Sequence, residues 1–429
     1  MASQDFVWLA LQIATMLAFG LAFGQLMRRF RQPAVLGEMM GGIFLGPTIF
    51  GLVAPELYVW LFQSSADAAV VRDASIKLGM LFFLFVAGLE IDFSQIREIG
   101  RKALLIGSVG TLVPIAVGVG LVYAIPRDFW GSVVQEHFFA FALFIGMNLA
   151  NSANPVLARI LMDLGLLRGP IGNMSMAATI VDDLINWTLF AIILSDIAPS
   201  GSATSHSLPV SIGLVLLMFV GILGIGRWLA PKTLRWLKGH ITGPSGFIGV
   251  TALFVLVAAS VSEGLGVHAF LGAFLVGAAL SGTMDEHREA HEVITRFALS
   301  FFAPIYFISM GMTTNYITNF DVVLVLLIVA VAVASKLGGV LLGAKLGGMA
   351  LDRETWAIGF GLNARGATGI ILAGVGRAAG VIDDRIFVAI VVMALTTSLL
   401  AGPMMNWLLS KRIAAINDTL EFELESGAA

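Results

Sequence analysis

The chain of 429 residues contains no cysteine, which excludes disulfide cross-links, thiolate metal centres and cysteine nucleophiles. Charge is scarce as well. Asp, Glu, Lys and Arg together make up 12% of the residues, against about 25% in an average soluble protein. No run of Lys and Arg is long enough to grip a nucleic-acid backbone, and the formal net charge is -3, so nucleic-acid partners are not expected. The N-terminus has no basic segment ahead of its first apolar run, and residues from Phe6 to about Leu26 therefore read as a spanning helix rather than a cleaved signal. What is abundant is hydrocarbon. Hydrophobic residues reach 58% and mean hydropathy is +0.92, values that belong to an integral membrane protein crossing the bilayer many times.

A helix needs about 20 apolar residues to cross the bilayer core. Charged clusters divide the chain into about thirteen transmembrane helices, at 6–27, 34–53, 75–91, 102–125, 137–161, 170–195, 208–230, 244–262, 265–283, 294–312, 320–349, 354–378 and 384–409, with a short acidic tail over 414–429. The expected fold is thus an all-α polytopic membrane protein. With the N-terminus outside, the inward loops and tail carry 18 Lys and Arg, among them Arg28, Arg29, Arg227, Lys232 and Lys411, whereas the outward loops carry 5. That asymmetry supports thirteen spans with the N-terminus outside and the C-terminus cytoplasmic. His287 and His291 fall in the acidic inward stretch over 284–296, read as a solvated loop.

Parts of the sequence resemble one another. LGEMMGGIFLG (Leu36 to Gly46) matches LGAFLVGAALSG (Leu271 to Gly282), and MLFFLFVAGLEID (Met80 to Asp92) matches FAPIYFISMGMTTN (Phe302 to Asn315). Related half-units separated by an odd number of spans insert in opposite orientations, so spans two to six and nine to thirteen form inverted repeats. Secondary transporters with that plan carry their site near the midplane, where interrupted helices of the two halves meet. The fifth span supplies one interruption: Asn148, Asn151, Ser152 and Asn154 crowd ahead of Pro155, which removes a helical hydrogen bond. Its counterpart is the twelfth span, GFGLNARGATGIILAGVG, with Asn363, Arg365 and several glycines at mid-span. Two crossing interrupted helices are expected.

Between these lies the most costly feature of the sequence. Asp182 and Asp183 sit side by side in an otherwise apolar sixth span, and Lys336 sits deep in the eleventh. Each ionisable group in hydrocarbon costs a few kcal/mol, so such groups persist mainly where they face protein or a water-filled path. Together with Arg365 they sum to zero formal charge, and a cation can bind only by displacing a proton or a partner. Glu38, near the entry of the second span beside Gly37 and Gly41, reads as structural packing.

MNLANSANPVLARILMDLGLL through AATIVDDLINW, together with VLGEMMGGIFLGP, FLFVAGLEID and NARGATGIILA, resembles the monovalent cation:proton antiporter-2 family in its paired-aspartate sodium/proton branch. The resemblance covers nearly the whole chain. It implies a transport core at about 102–195 and 320–409, a dimerisation scaffold at about 6–91 and 208–312, a homodimer, and elevator-type alternating access. It implies Asp183 as the principal carboxylate for Na+ and Asp182 as the partner of Lys336. Hard cations favour oxygen ligands, so Asn151 and Ser152 at the interruption are candidate coordinating groups, and Asn154, Asn363 and Arg365 are candidate supports of the crossing. Two departures stand out: the family often reads Arg-Gly-Glu where this chain has Arg365, Gly366 and Ala367, and Thr-Ser or Ser-Thr where it has Asn151 and Ser152. The chain also ends soon after the last span, without the nucleotide-binding regulatory domain of potassium-efflux relatives.

The expected function is exchange of Na+ or Li+ for H+ across a bacterial inner membrane, with no cofactor beyond the transported ions. Burial disfavours a charged carboxylate, an ammonium beside it favours one, and adjacent acids resist joint ionisation. Cation and proton therefore compete for Asp182 and Asp183, and two protons per sodium make the exchange electrogenic. K+/H+ exchange on the same scaffold stays open, as does a cation channel. An intramembrane aspartyl protease needs its acids on separate helices, whereas these are neighbours about 100° apart on one.

Overall fold

The computed structural model describes residues 3–30, 32, 34–89, 100–131, 137–167, 169–197, 210, 213–214, 217–226, 228, 232–233, 244–265, 269–281 and 288–427. Its principal helices are α1 (Ser3–Arg29), α2 (Ala34–Leu45), α3 (Ala66–Leu89), α4 (Arg101–Ala124), α5 (Phe138–Ala150), α6 (Asn154–Asp163), α7 (Pro170–Ile197), α8 (Pro244–Gly264), α9 (Ala269–Leu280), α10 (Ala303–Met312), α11 (Val322–Leu346), α12 (Arg353–Leu362), α13 (Gly366–Ala378) and α14 (Asp384–Gly427). No strand occurs among the described residues. Local signals account for several starts. Asp321 caps α11 by accepting from Leu324 N at 3.0 Å, Asp352 caps α12 by accepting from Thr355 N at 3.0 Å, and proline opens α7 or sits in the first turn of α6, where its missing N–H costs nothing.

Contacts divide the chain into two compact units, Met1–Ser94 with Phe190–Phe320, and Gln95–Leu189 with Asp321–Ala429. In the first, the internal repeat is written into the packing. Gly42 of α2 lies against Gly311 of α10, and Gly277 of α9 lies against Gly88 of α3. Gly42 matches Gly277 in the repeat, and Gly88 matches Gly311. A methyl group on any one of the four would strike the carbonyl three residues before its partner: Ile308 for Gly42, Met39 for Gly311, Phe85 for Gly277 and Phe274 for Gly88. Each half thus lends a helix to the other through the same backbone-to-backbone crossing, which only glycine permits. Around these crossings the buried side chains are apolar, with Met16, Leu45, Phe62, Ile305 and Ile308 in one cluster and Phe85, Val255, Ala273 and Ala298 in another.

The second unit is built on α4 and α11. Gly339 approaches Gly110 closely enough that an added Cβ would stand 3.1 Å from its Cα, and Gly343 approaches Ile106 in the same way at 2.9 Å. Ile106, Leu157, Ala178, Val340, Ile358 and Met405 form its apolar core. Seven helices among the described residues are long and apolar enough to cross a membrane, and three shorter apolar stretches lie at Phe138–Ala150, Ala269–Leu280 and Thr368–Ala378. Of the predicted span over 208–230, residues 217–226 are described continuously and are helical, with a π-helical turn over Phe219–Gly226.

Three expected boundaries move. The third span begins at Ala66 rather than 75, because Ser65 Oγ accepts from Ala68 N at 3.0 Å and caps a longer helix. In its polar first half Arg72 Nη1 donates to Gln12 Oε1 at 3.2 Å. The stretch read as a solvated loop is helical over Arg288–Phe297, where Arg296 pairs with Glu292 one turn away at 3.1 Å, so His291 is a helical residue, while His287 lies outside the described residues. The C-terminal segment over 414–427, expected as a tail, continues α14 to Gly427, since nothing in KRIAAINDTLEFELE breaks a helix. Glu38 is buried between α1 and α2, its carboxylate lodged where Gly24 leaves room.

Candidate functional site

The fifth and twelfth spans are each broken in mid-course. α5 ends at Ala150 and α6 begins at Asn154; α12 ends at Leu362 and α13 begins at Gly366. The two breaks are hydrogen-bonded to each other. Ala153 N donates to Ala364 O at 2.7 Å, and Ser152 Oγ donates to Leu362 O at 2.6 Å. Gly366 makes the crossing possible twice over. Its φ is +41°, a value L side chains rarely adopt, and an added Cβ would collide with Val156. Its N–H donates to Ser398 Oγ of α14 at 2.8 Å.

A broken helix leaves carbonyls without partners at its C-terminal end, where the aligned peptide dipoles also place partial negative charge. At the end of α5 two buried cations answer this. Arg365 Nη2 donates to Leu149 O and, at 3.0 Å, to Ala332 O, while Nη1 donates to the main-chain and side-chain oxygens of Asn363. Lys336 Nζ donates to Ala150 O. Arg365, Lys336 and Asn363 are all buried. Both terminal nitrogens of the guanidinium are thus spent on backbone and amide oxygens, while its Nε is buried without a hydrogen-bond partner among the described residues.

Lys336 has a second acceptor. Its Nζ stands 3.1 Å from Asp182 Oδ1, and the side chains are 2% and 1% exposed. Thr111 of α4 donates its hydroxyl to the same Asp182 oxygen and also lies 2.7 Å from the Gly107 carbonyl. One hydroxyl proton cannot serve both acceptors, so Thr111 donates to an ionised Asp182 and accepts from a protonated one while turning to Gly107. Asp182 Oδ2 is buried without a hydrogen-bond partner among the described residues. Asp183 is half-buried, and its Oδ2 accepts from Asn154 Nδ2 at the start of α6. Asn151 caps α5 through its backbone N–H, and neither atom of its buried carboxamide has a partner among the described residues.

The structure therefore brings Asp182, Lys336, Asn151, Ser152, Asn363 and Arg365 together at one crossing of breaks, with Asp183 and Asn154 paired beside it. Two residues were not singled out from the sequence. Thr111, the lone hydroxyl between Ser108 and Pro114 of an apolar helix, was the more legible of them; Ser398 stands in a Thr-Thr-Ser run that reads as ordinary helix filling.

The sodium/hydrogen exchanger transmembrane family matches residues 13–411. Cation/H(+) antiporter 18 of Arabidopsis thaliana is 33% identical over 92% of this chain, and the match covers 48% of that protein, so the chain spans about half the length of this plant relative. Na(+)/H(+) antiporter NhaS4 of Synechocystis is 30% identical over 89% of this chain and 92% of its own. K(+)/H(+) antiporter 1 of Saccharomyces cerevisiae is 31% identical over 87% of this chain and 43% of its own. The sodium proton antiporter MjNhaP1 of Methanocaldococcus jannaschii shares the fold, with a TM-score of 0.68 over 96% of this chain and 99% of that one at 13% identity. Broken helices that meet at a buried carboxylate, and a family match over nearly the whole length, lead to one conclusion: this integral membrane protein belongs to the sodium/hydrogen exchanger transmembrane family.

Proposed function

We propose that the protein is a secondary active transporter that exchanges a monovalent cation, Na+ or Li+, for protons at Asp182 and Asp183. The observation that carries this reading is the buried pair of Lys336 with Asp182, one residue from Asp183 and against the crossing of the two breaks. In the resting state Asp182 is ionised against the Lys336 ammonium, and Asp183 holds a proton. An incoming cation takes oxygens from both carboxylates; Asp183 gives up its proton, and Lys336, deprived of its counter-ion, gives up another. Two protons leave for one cation, so each cycle moves net charge. The protease reading draws no support from two carboxylates that share a single helix.

Exchange of K+ is the second reading, favoured by similarity to a relative named for K(+)/H(+) antiport and to the Na(+)/H(+)-K(+) antiporter GerN of Bacillus cereus, 27% identical over 92% of this chain. The unit holding the crossing acts as the transport core and the other as the dimerisation scaffold, in a bacterial inner membrane with the N-terminus outside. The homodimer predicts twice the chain mass of 45.5 kDa in a native mass measurement; a single chain refutes it. The function is tested in proteoliposomes under clamped voltage by adding Na+, Li+ or K+ and recording proton flux. Cation-driven flux that disappears in Asp183→Asn supports exchange, and its cation order decides between the two readings. Current without coupled proton movement instead means a channel.

A further inference from the structure

Beyond Asp182 and Asp183, α7 carries a further polar side chain that none of the interactions above uses. Asn186 is 2% exposed, and neither its Oδ1 nor its Nδ2 has a hydrogen-bond partner among the described residues. A buried carboxamide with both ends unmet is destabilising, and such groups are rare unless something outside the protein chain meets them. Its position says what that is. α7 is regularly helical through this stretch, so Asn186 projects about 40° from the direction of Asp182 and about 60° from that of Asp183, between the two. Residues three and four apart on a helix hold their Cβ atoms about 5–6 Å from each other, close enough for their oxygens to meet on one small ion.

The oxygens near that point are unevenly committed. Asp182 Oδ1 is taken by Lys336 and Thr111, and Asp183 Oδ2 by Asn154. Asp182 Oδ2 is buried without a partner among the described residues. A hard cation asks for several oxygen ligands, and a carboxamide oxygen supplies one without adding charge to a site whose carboxylates must also release protons. We propose that Asn186 Oδ1 is a direct ligand of the transported monovalent cation, between Asp182 and Asp183, and helps to set the cation preference. This rests on the exchange reading and assigns a further residue to the same site.

The test pairs transport with equilibrium binding on the full-length protein. Na+, Li+ and K+ are titrated into proteoliposomes of wild type, Asn186→Ala and Asn186→Ser for cation-driven proton flux. The same three cations are titrated into detergent-purified protein by calorimetry. Loss of one ligand is expected to weaken cation affinity ~10-fold or more in Asn186→Ala, with a rise in apparent KM that exceeds any fall in maximal rate and a changed order among the three cations. Asn186→Ser keeps an oxygen and recovers part of the affinity. Unchanged affinity and cation order in Asn186→Ala overturn the proposal, as does a loss of maximal rate alone, which is what a packing role would give. If Asn186→Ala does not fold, wild-type affinity and cation order in Asn186→Ser overturn it, since a hydroxyl on a shorter side chain cannot reproduce the carboxamide's reach. Wild type that binds a cation through Asn186 but drives no proton flux defeats the exchange reading and leaves this ligand standing; wild type that binds none of the three defeats both.

Discussion

Lys336 is held by an ion pair whose removal is more costly than its formation is rewarding. Two charges taken out of water recover their desolvation only through each other, so deleting one partner strands the other, at a cost of about 3–5 kcal/mol. Lys336→Met should therefore lower the melting temperature of the purified protein markedly. The double variant Lys336→Met with Asp182→Asn should regain a large part of the loss, because no charge is then left alone. Equal melting temperatures for the single and double variants would remove the pair from the account of stability. Arg365 makes a different demand. Its fork supplies donors to the carbonyls of Leu149, Ala332 and Asn363, and each buried carbonyl left unmet costs about 1–3 kcal/mol. Arg365→Lys keeps the charge but cannot reach three acceptors in one plane, so it should destabilise nearly as much as Arg365→Met, as read by thermal unfolding. Rescue by lysine would mean that charge alone matters there.

Between elements, the glycine crossings decide how close two helices come. Gly88 and Gly277 meet backbone to backbone, and a methyl group on either strikes a carbonyl that has no freedom to retreat. Gly277→Ala is expected to cost about 1–3 kcal/mol through overpacking. Gly249, also within a helix, has nothing within 4 Å of an added Cβ; Gly249→Ala should be neutral or stabilising by up to about 1 kcal/mol. Comparing melting temperatures of the two variants separates close packing from helix propensity, and equal effects would refute the crossing as a constraint. The repeat that aligns Gly42 with Gly277 and Gly88 with Gly311 is readable in the sequence, but that each pairs with the other half's helix is not, since alignment reports likeness and never adjacency. Likewise the interruption near Asn151 is legible from Pro155 and its amides, whereas the hydrogen bond from Ala153 to Ala364 joins segments more than two hundred residues apart.

At the scale of the whole molecule, the distribution of Lys and Arg predicts an N-terminus outside, which labelling tests. The chain has no cysteine, so single cysteines can be introduced without background. Arg127→Cys should react with a membrane-impermeant thiol reagent in intact cells, and Arg412→Cys only after permeabilisation; the reverse pattern would invert the topology. Membership of the membrane class, the repeats, both helix breaks and the carboxylate pair were all present in the linear order of residues, because hydrophobic length, proline position and the cost of charge in lipid are local quantities. The boundaries that failed, at Ala66 and over Arg288–Phe297, failed where a capping hydroxyl or a one-turn ion pair carried a helix past its apolar limit. Which oxygen meets which donor depended on the folded chain. Thr111 and Lys336 lie 71 and 154 residues from Asp182, and a hydrogen bond acts over a few ångströms with a direction, so it forms only after packing has brought three helices to one point.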